Sequence, residues 1–114
     1  MEPATLTGDA RSMRDRWIAA GGSERIFDPA SLTNADVVVD ALFGTGLERP
    51  LEGAWLETVR AMNGSACPKV ALDLPSGLHA DSGRVLGIAV RAAVTVSFIG
   101  LKAGLFTGEG RTHA

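Results

Sequence analysis

Apolar positions recur at helical spacing through residues 8–20, where Met13, Trp17 and Ala20 share one face, Asp9 can cap the first turn and Gly21-Gly22 ends the segment. Ile26-Phe27 then offers a very short strand, and residues 28–33 read as a loop or a single helical turn. The pattern changes at Val37-Val38-Val39-Asp40-Ala41-Leu42-Phe43, an apolar run broken by one acid and closed by Gly44-Thr45-Gly46. A run of this kind between turn residues predicts a strand buried on both faces. Helical spacing returns from about Gly53 to Asn63, with Trp55, Val59 and Met62 on one stripe beside Leu56, and Asn63-Gly64-Ser65 stops it. Val70-Ala71-Leu72-Asp73 predicts a second buried strand, again ending in an acid and a turn, Pro75-Ser76-Gly77. Residues 77–87 are polar and turn-rich and suggest an excursion over the sheet's edge, residues 92–99 a third strand, and the tail from Thr107 shows no periodicity.

Strand, helix and strand in this order form a βαβ unit, whose crossover is right-handed, so the pattern predicts an α/β fold with a mainly parallel sheet. Strands buried on both faces need helices on both sides, and the two predicted helices barely suffice. No strand precedes the first helix, and the chain stops in a glycine-rich stretch. The expectation is an internal portion of a larger α/β domain.

Composition narrows the class. The 114 residues allow one domain, with 46% hydrophobic and 21% charged residues, as in a globular chain. Eleven Lys+Arg against 13 Asp+Glu leave a net charge of -2, which makes no electrostatic case for nucleic acid or an anionic membrane as principal partner. A single cysteine, Cys67, forms no internal disulfide, and no apolar run approaches the roughly 20 residues that cross a bilayer. The start, Met1-Glu2-Pro3-Ala4, lacks the basic-then-apolar pattern of a leader, so the expected location is cytoplasmic.

The candidate chemistry lies where the strands end. Ligands of open α/β sheets bind outside the carboxyl ends of the strands, where Asp40 and Asp73 both fall. Either acid can instead cap a following turn, but two acids at one edge repel unless a cation or a donor stands between them. Gly44-Thr45-Gly46 provides close backbone approach and amides for a phosphate, or a plain hinge; Arg49 takes the place of the third glycine of a dinucleotide fingerprint and suits a phosphate or a surface ion pair. Ser76 lacks the G-x-S-x-G elbow of a nucleophile, because Leu74 stands at the first glycine position. A serine oxygen sharing a hard cation with a carboxylate is the more plausible chemistry. Cys67 reads as inert, and Lys102 and Glu109 as solvated.

Taken together, Asp40-Ala41-Leu42-Phe43-Gly44-Thr45-Gly46-Leu47, Arg49-Pro50-Leu51, Asp73-Leu74-Pro75-Ser76-Gly77-Leu78, Ala80-Asp81-Ser82-Gly83 and Thr95-Val96-Ser97-Phe98 resemble the NAD(P)H-hydrate epimerases, the YjeF N-terminal domain, from about Gly8 to Gly110. The resemblance implies a Rossmann-like three-layer α/β sandwich, present here in part, and commonly a homodimer. It implies an isomerase that interconverts the R and S forms of NADH and NADPH hydrated at C6 of the nicotinamide ring, in metabolite repair with an NAD(P)H-hydrate dehydratase, fused or separate. By position, it makes Asp40 and Ser76 ligands of a potassium ion, Gly44, Thr45, Gly46, Leu47, Glu48, Arg49 and Pro50 a substrate loop, and Asp73 a substrate-binding acid and the candidate for acid/base work. The family's earlier N-N-G-G-D-G loop has no counterpart in residues 1–34, so the resemblance implies a domain lacking its first βα unit and last strands, and activity of the isolated chain stays open. A non-catalytic binding module, as in a relative known as an apolipoprotein A-I-binding protein, and a generic nucleotide-binding fragment are the competing readings.

Overall fold

The computed structural model describes residues 6–114, so the Met1–Ala4 start lies outside the described residues. Helix α1 spans Gly8–Ala19, followed by a 3-10 turn at Pro29–Asn34, strand β1 at Val38–Asp40, helix α2 at Gly53–Gly64, β2 at Lys69–Leu72 and β3 at Val94–Val96. A 3-10 turn at Ala103–Leu105 and the short helix α3 at Gly110–His113 complete the chain. The strands form one parallel sheet in the order β1-β2-β3, with Asp40 beside Ala71 and Ala71 beside Thr95. The predicted α/β class and parallel βαβ unit are therefore present. Ile26-Phe27 forms no strand, and the periodicity missing from the tail hides the short α3. No helix among the described residues is long and apolar enough to cross a membrane.

Parallel partners in register point to one side of a sheet. Val38, Asp40, Lys69, Ala71 and Thr95 therefore share a face, and α2 covers it with Val59 and Met62, which pack with Leu51 and Val90 and against Val38 and Leu42. The opposite face carries Val39, Val70, Leu72, Val94 and Val96, of which Val39 is 56% and Val94 53% exposed. The expectation of strands buried on both faces fails here. An unbroken valine run reports that a strand resists water, not that both layers are present to exclude it. Helix α1 tells the same story. Its predicted stripe exists in sequence, yet Met13 and Trp17 are exposed and none of its residues is buried. Asp9 lies in the first turn without capping it; Thr7 is the N-cap and makes no side-chain bond.

Residues 77–87 are not a polar excursion. Leu78 and Ala80 join Leu74, Ala89 and Leu105 in a second core, and Leu78 bridges Val85 antiparallel. Gly77 makes this possible at φ 94, where a Cβ would overlap the Ile88 carbonyl oxygen. The close approach lets Leu86 N–H donate to Gly77 O at 2.8 Å and Val90 N–H to Ser76 O at 2.9 Å, fixing the turn that carries Ser76.

Candidate active site

Two clusters occupy the carboxyl edge of the sheet. In the first, Asp40 ends β1 fully buried. Its Oδ2 accepts the Ser76 N–H at 2.8 Å, and its Oδ1 accepts the Ser76 hydroxyl at 2.6 Å and the Leu42 N–H at 3.3 Å. Ser76 Oγ also accepts the Phe43 N–H at 2.9 Å and lies 3.2 Å from the Phe43 carbonyl oxygen. Among the described residues no basic side chain pairs with Asp40. A carboxyl, a hydroxyl and a carbonyl oxygen thus converge in the interior, an all-oxygen donor set of the kind that suits a hard cation. No histidine nitrogen contacts Ser76 among the described residues.

The second cluster surrounds Asp73, just past β2. Its N–H donates to Val96 O at 2.7 Å, so it continues the pairing with β3 while its φ of 72 turns the chain away. Asp73 Oδ1 accepts the Phe98 N–H at 3.2 Å and forms an ion pair with Lys102 Nζ, both side chains being mostly buried. Lys102 is therefore not the solvated surface cation expected from the sequence. The loop after β3 folds back and delivers it to the end of β2. The two acids at the sheet edge are each given separate partners: Asp40 backbone and serine donors, Asp73 an ammonium.

The Lys102 hydrogen bond holds the Asp73 carboxyl below its ordinary value, helped by the Phe98 N–H and opposed by burial. A carboxyl depressed in the folded state adds stability that is present above the unfolded value and is lost as pH falls through the folded one. The chain is accordingly expected to lose part of its stability as pH drops below about 4. Lys102→Met should flatten that acid-side slope in urea midpoints measured against pH, whereas an unchanged slope would assign the acid sensitivity to other carboxyls.

An open cavity of about 530 Å³ joins Thr45, Asp73, Asp81, Lys102 and the Phe98–Leu101 turn. Gly44 sits beside it, its missing Cβ 3.4 Å from Asp73 Oδ2, so the Gly-Thr-Gly loop and the acid meet. The other loop residues are placed differently. Leu47 packs on the α2 core, Glu48 lies 3.7 Å from His79 Nε2, and Gly46, Arg49 and Pro50 are exposed.

Residues 1–104 match the family described as YjeF-related protein N-terminus. The chain belongs to that family. The YjeF-type chain is 46% identical over 87 residues to an NAD(P)H-hydrate epimerase of Limosilactobacillus fermentum, covering 76% of this chain and 42% of the relative. It is 42% identical over 114 residues to the bifunctional NAD(P)H-hydrate repair enzyme Nnr of Vibrio cholerae, covering 98% of this chain and 23% of the relative. A bifunctional repair enzyme of Leishmania braziliensis is 39% identical over 112 residues, with 95% and 20% covered. The YjeF-type chain thus spans less than half the length of these relatives. Of its motif residues, Asp40, Phe43 and Ser76 build the first cluster and Gly44, Asp73 and Phe98 meet in the second, whereas Lys102 and residues 99–101, which no motif includes, follow β3. The loop after a third parallel strand belongs at the same edge as the loops after β1 and β2, and that is the signal the sequence carries for them.

Proposed function

We propose that this chain carries an NAD(P)H-hydrate epimerase site, interconverting the R and S forms of hydrated NADH and NADPH in nicotinamide-nucleotide repair. The observation that carries the reading is the meeting of the Gly-Thr-Gly loop and the Asp73–Lys102 pair in one cavity at the carboxyl edge of three parallel strands. Nucleotide phosphates call for backbone amides and a guanidinium, which Gly44, Thr45 and Gly46 with exposed Arg49 supply. Leu47 anchors that loop to the core, while Glu48 and Pro50 complete its outer edge.

Inverting a carbon that bears both a hydroxyl and a ring nitrogen requires a proton to move at one of the two. Asp73 is the group for that step. Its Oδ1 is committed to Lys102 and the Phe98 N–H, whereas Oδ2 receives no hydrogen bond among the described residues and faces the Gly44 backbone. Because Lys102 holds the carboxyl below its ordinary value, Asp73 enters as a carboxylate that accepts the C6 hydroxyl proton as the C6–N1 bond opens to an aldehyde, N1 keeping the electron pair. It returns the proton to the oxygen once N1 has re-added to the other face. Asp40, Ser76 and the Phe43 carbonyl would hold a potassium ion, which when bound supplies positive charge beside the acids. An NAD(P)H-hydrate dehydratase, fused or separate, is the proposed partner, with a homodimer as the proposed assembly and the cytoplasm as the proposed location.

The test supplies one resolved epimer to the chain, alone and fused to the first βα unit of an epimerase relative, and follows both epimers by chromatography. Equilibration roughly a hundredfold or more above the uncatalysed rate is expected in at least one of the two. No acceleration in either would overturn the reading.

A further inference from the structure

Two neighbouring turns on the cavity share a strained geometry. After β2, the Leu74 N–H donates to Leu72 O at 2.9 Å across Asp73, whose φ is 72. After β3, the Gly100 N–H donates to Phe98 O at 2.6 Å across Ile99, whose φ is 64. Each is a three-residue γ-turn with positive φ at its centre, the rarer form of that turn. Aspartate tolerates the left-handed region; a β-branched isoleucine does not, and Ile99 is fully exposed, so no packing of its own side chain holds it there. Such conformations persist where their surroundings over-determine them, and they gather at functional sites.

The surroundings converge on one ammonium. Lys102 Nζ donates to Phe98 O at 2.7 Å and Gly100 O at 2.9 Å, the carbonyls that flank Ile99. It also reaches Ser97 Oγ at 3.2 Å and pairs with Asp73 Oδ1, the oxygen that receives the Phe98 N–H at 3.2 Å. With Asp73 N–H bound to Val96 O, each turn is fastened to the other. Three ammonium protons are shared among four acceptors, leaving none for a substrate.

We propose that Lys102 is a positioning residue that clamps these two turns together, so that Asp73 presents Oδ2 to the cavity and Phe98 and Ile99 form its apolar rim. The proposal deepens the epimerase reading of this site and rests on it for its catalytic part. The rim residues Phe98, Ile99 and Leu101 are all exposed, and a flat, partly saturated ring seated over Asp73 would cover apolar surface there.

The test compares wild type, Lys102→Met, Lys102→Arg and the double variant Lys102→Met with Ile99→Gly. Methionine keeps the stem and removes every donor. Arginine keeps the charge, but its planar fork does not converge on a tight nest of carbonyls. Both single variants are expected to lose about 10- to 100-fold in kcat with KM within roughly twofold, as misplacement of a reacting group does. Glycine accepts positive φ without strain, so the double variant should recover about tenfold of that loss. A lysine that touched substrate would not be rescued, and absence of recovery overturns the clamp. Amide hydrogen exchange provides a readout that needs no substrate. Phe98 and Gly100 should exchange about tenfold or more faster in Lys102→Met, with β2 amides unchanged. Unchanged exchange at Phe98 and Gly100 also overturns the clamp. The kinetic comparison is made in whichever form epimerises, the chain alone or its fusion to the first βα unit; if neither does, the functional reading falls, and the exchange result alone decides the clamp.

Discussion

Asp73→Asn is expected to lower kcat for epimerisation by about a thousandfold while leaving the fold in place, within the range by which a positioned acid or base accelerates proton transfer. Asparagine is the informative substitution because it isolates the proton. It tolerates the left-handed backbone that φ 72 requires, and its carbonyl oxygen can still accept from the Phe98 N–H and the Lys102 ammonium. What it removes is the charge and the basic oxygen turned toward Gly44. Steady-state kinetics beside a thermal melt check both halves. A variant that melts normally and turns over at the wild-type rate would show that some other group moves the proton.

Asp40→Ala carries the larger expected cost in stability. The substitution strips the acceptor from the Ser76 N–H, the Ser76 hydroxyl and the Leu42 N–H in a fully buried setting. An unsatisfied buried donor costs roughly 1–3 kcal/mol, so a loss of about 4 kcal/mol is expected, read as a fall in the urea midpoint. That is a large share of the roughly 5–15 kcal/mol that holds a domain together. The cation proposal adds a second signature. Wild type should melt at a higher temperature in potassium chloride than in tetramethylammonium chloride of equal strength, as any ligand of the folded state requires. Asp40→Asn should abolish the difference. A potassium increment that survives in Asp40→Asn would place the ion elsewhere.

The sequence made the architecture plain where local pattern and tertiary context agree. Helix α2 follows the Trp55, Val59, Met62 stripe because that stripe meets the sheet. Asp40 and Ser76 were legible as a pair only through the family resemblance; the residues alone set Asp40 beside Asp73, whereas each acid in fact has its own partner, Ser76 for the one and Lys102 for the other. Two things stayed hidden. Whether an apolar run is covered depends on a second layer, which the run itself does not encode, and so the pattern predicts a buried Val39 where the strand is open on that face. Lys102 was hidden for a different reason: an isolated lysine among Gly100, Leu101 and Ala103 has no periodicity, and only the return of the loop onto β2 brings it within reach of Asp73.

The uncovered valines of β1 and β3 set the terms on which this chain can be handled. Val39 and Asp40 are successive residues of one strand and point to opposite sides, so the water-facing side is chemically independent of the side that holds the site. Salts excluded from protein surfaces, such as sulfate, strengthen every apolar association. In ammonium sulfate the molecules should therefore stick to one another through the valine side while each remains folded, so dilute chloride buffers are the medium in which to purify and concentrate it.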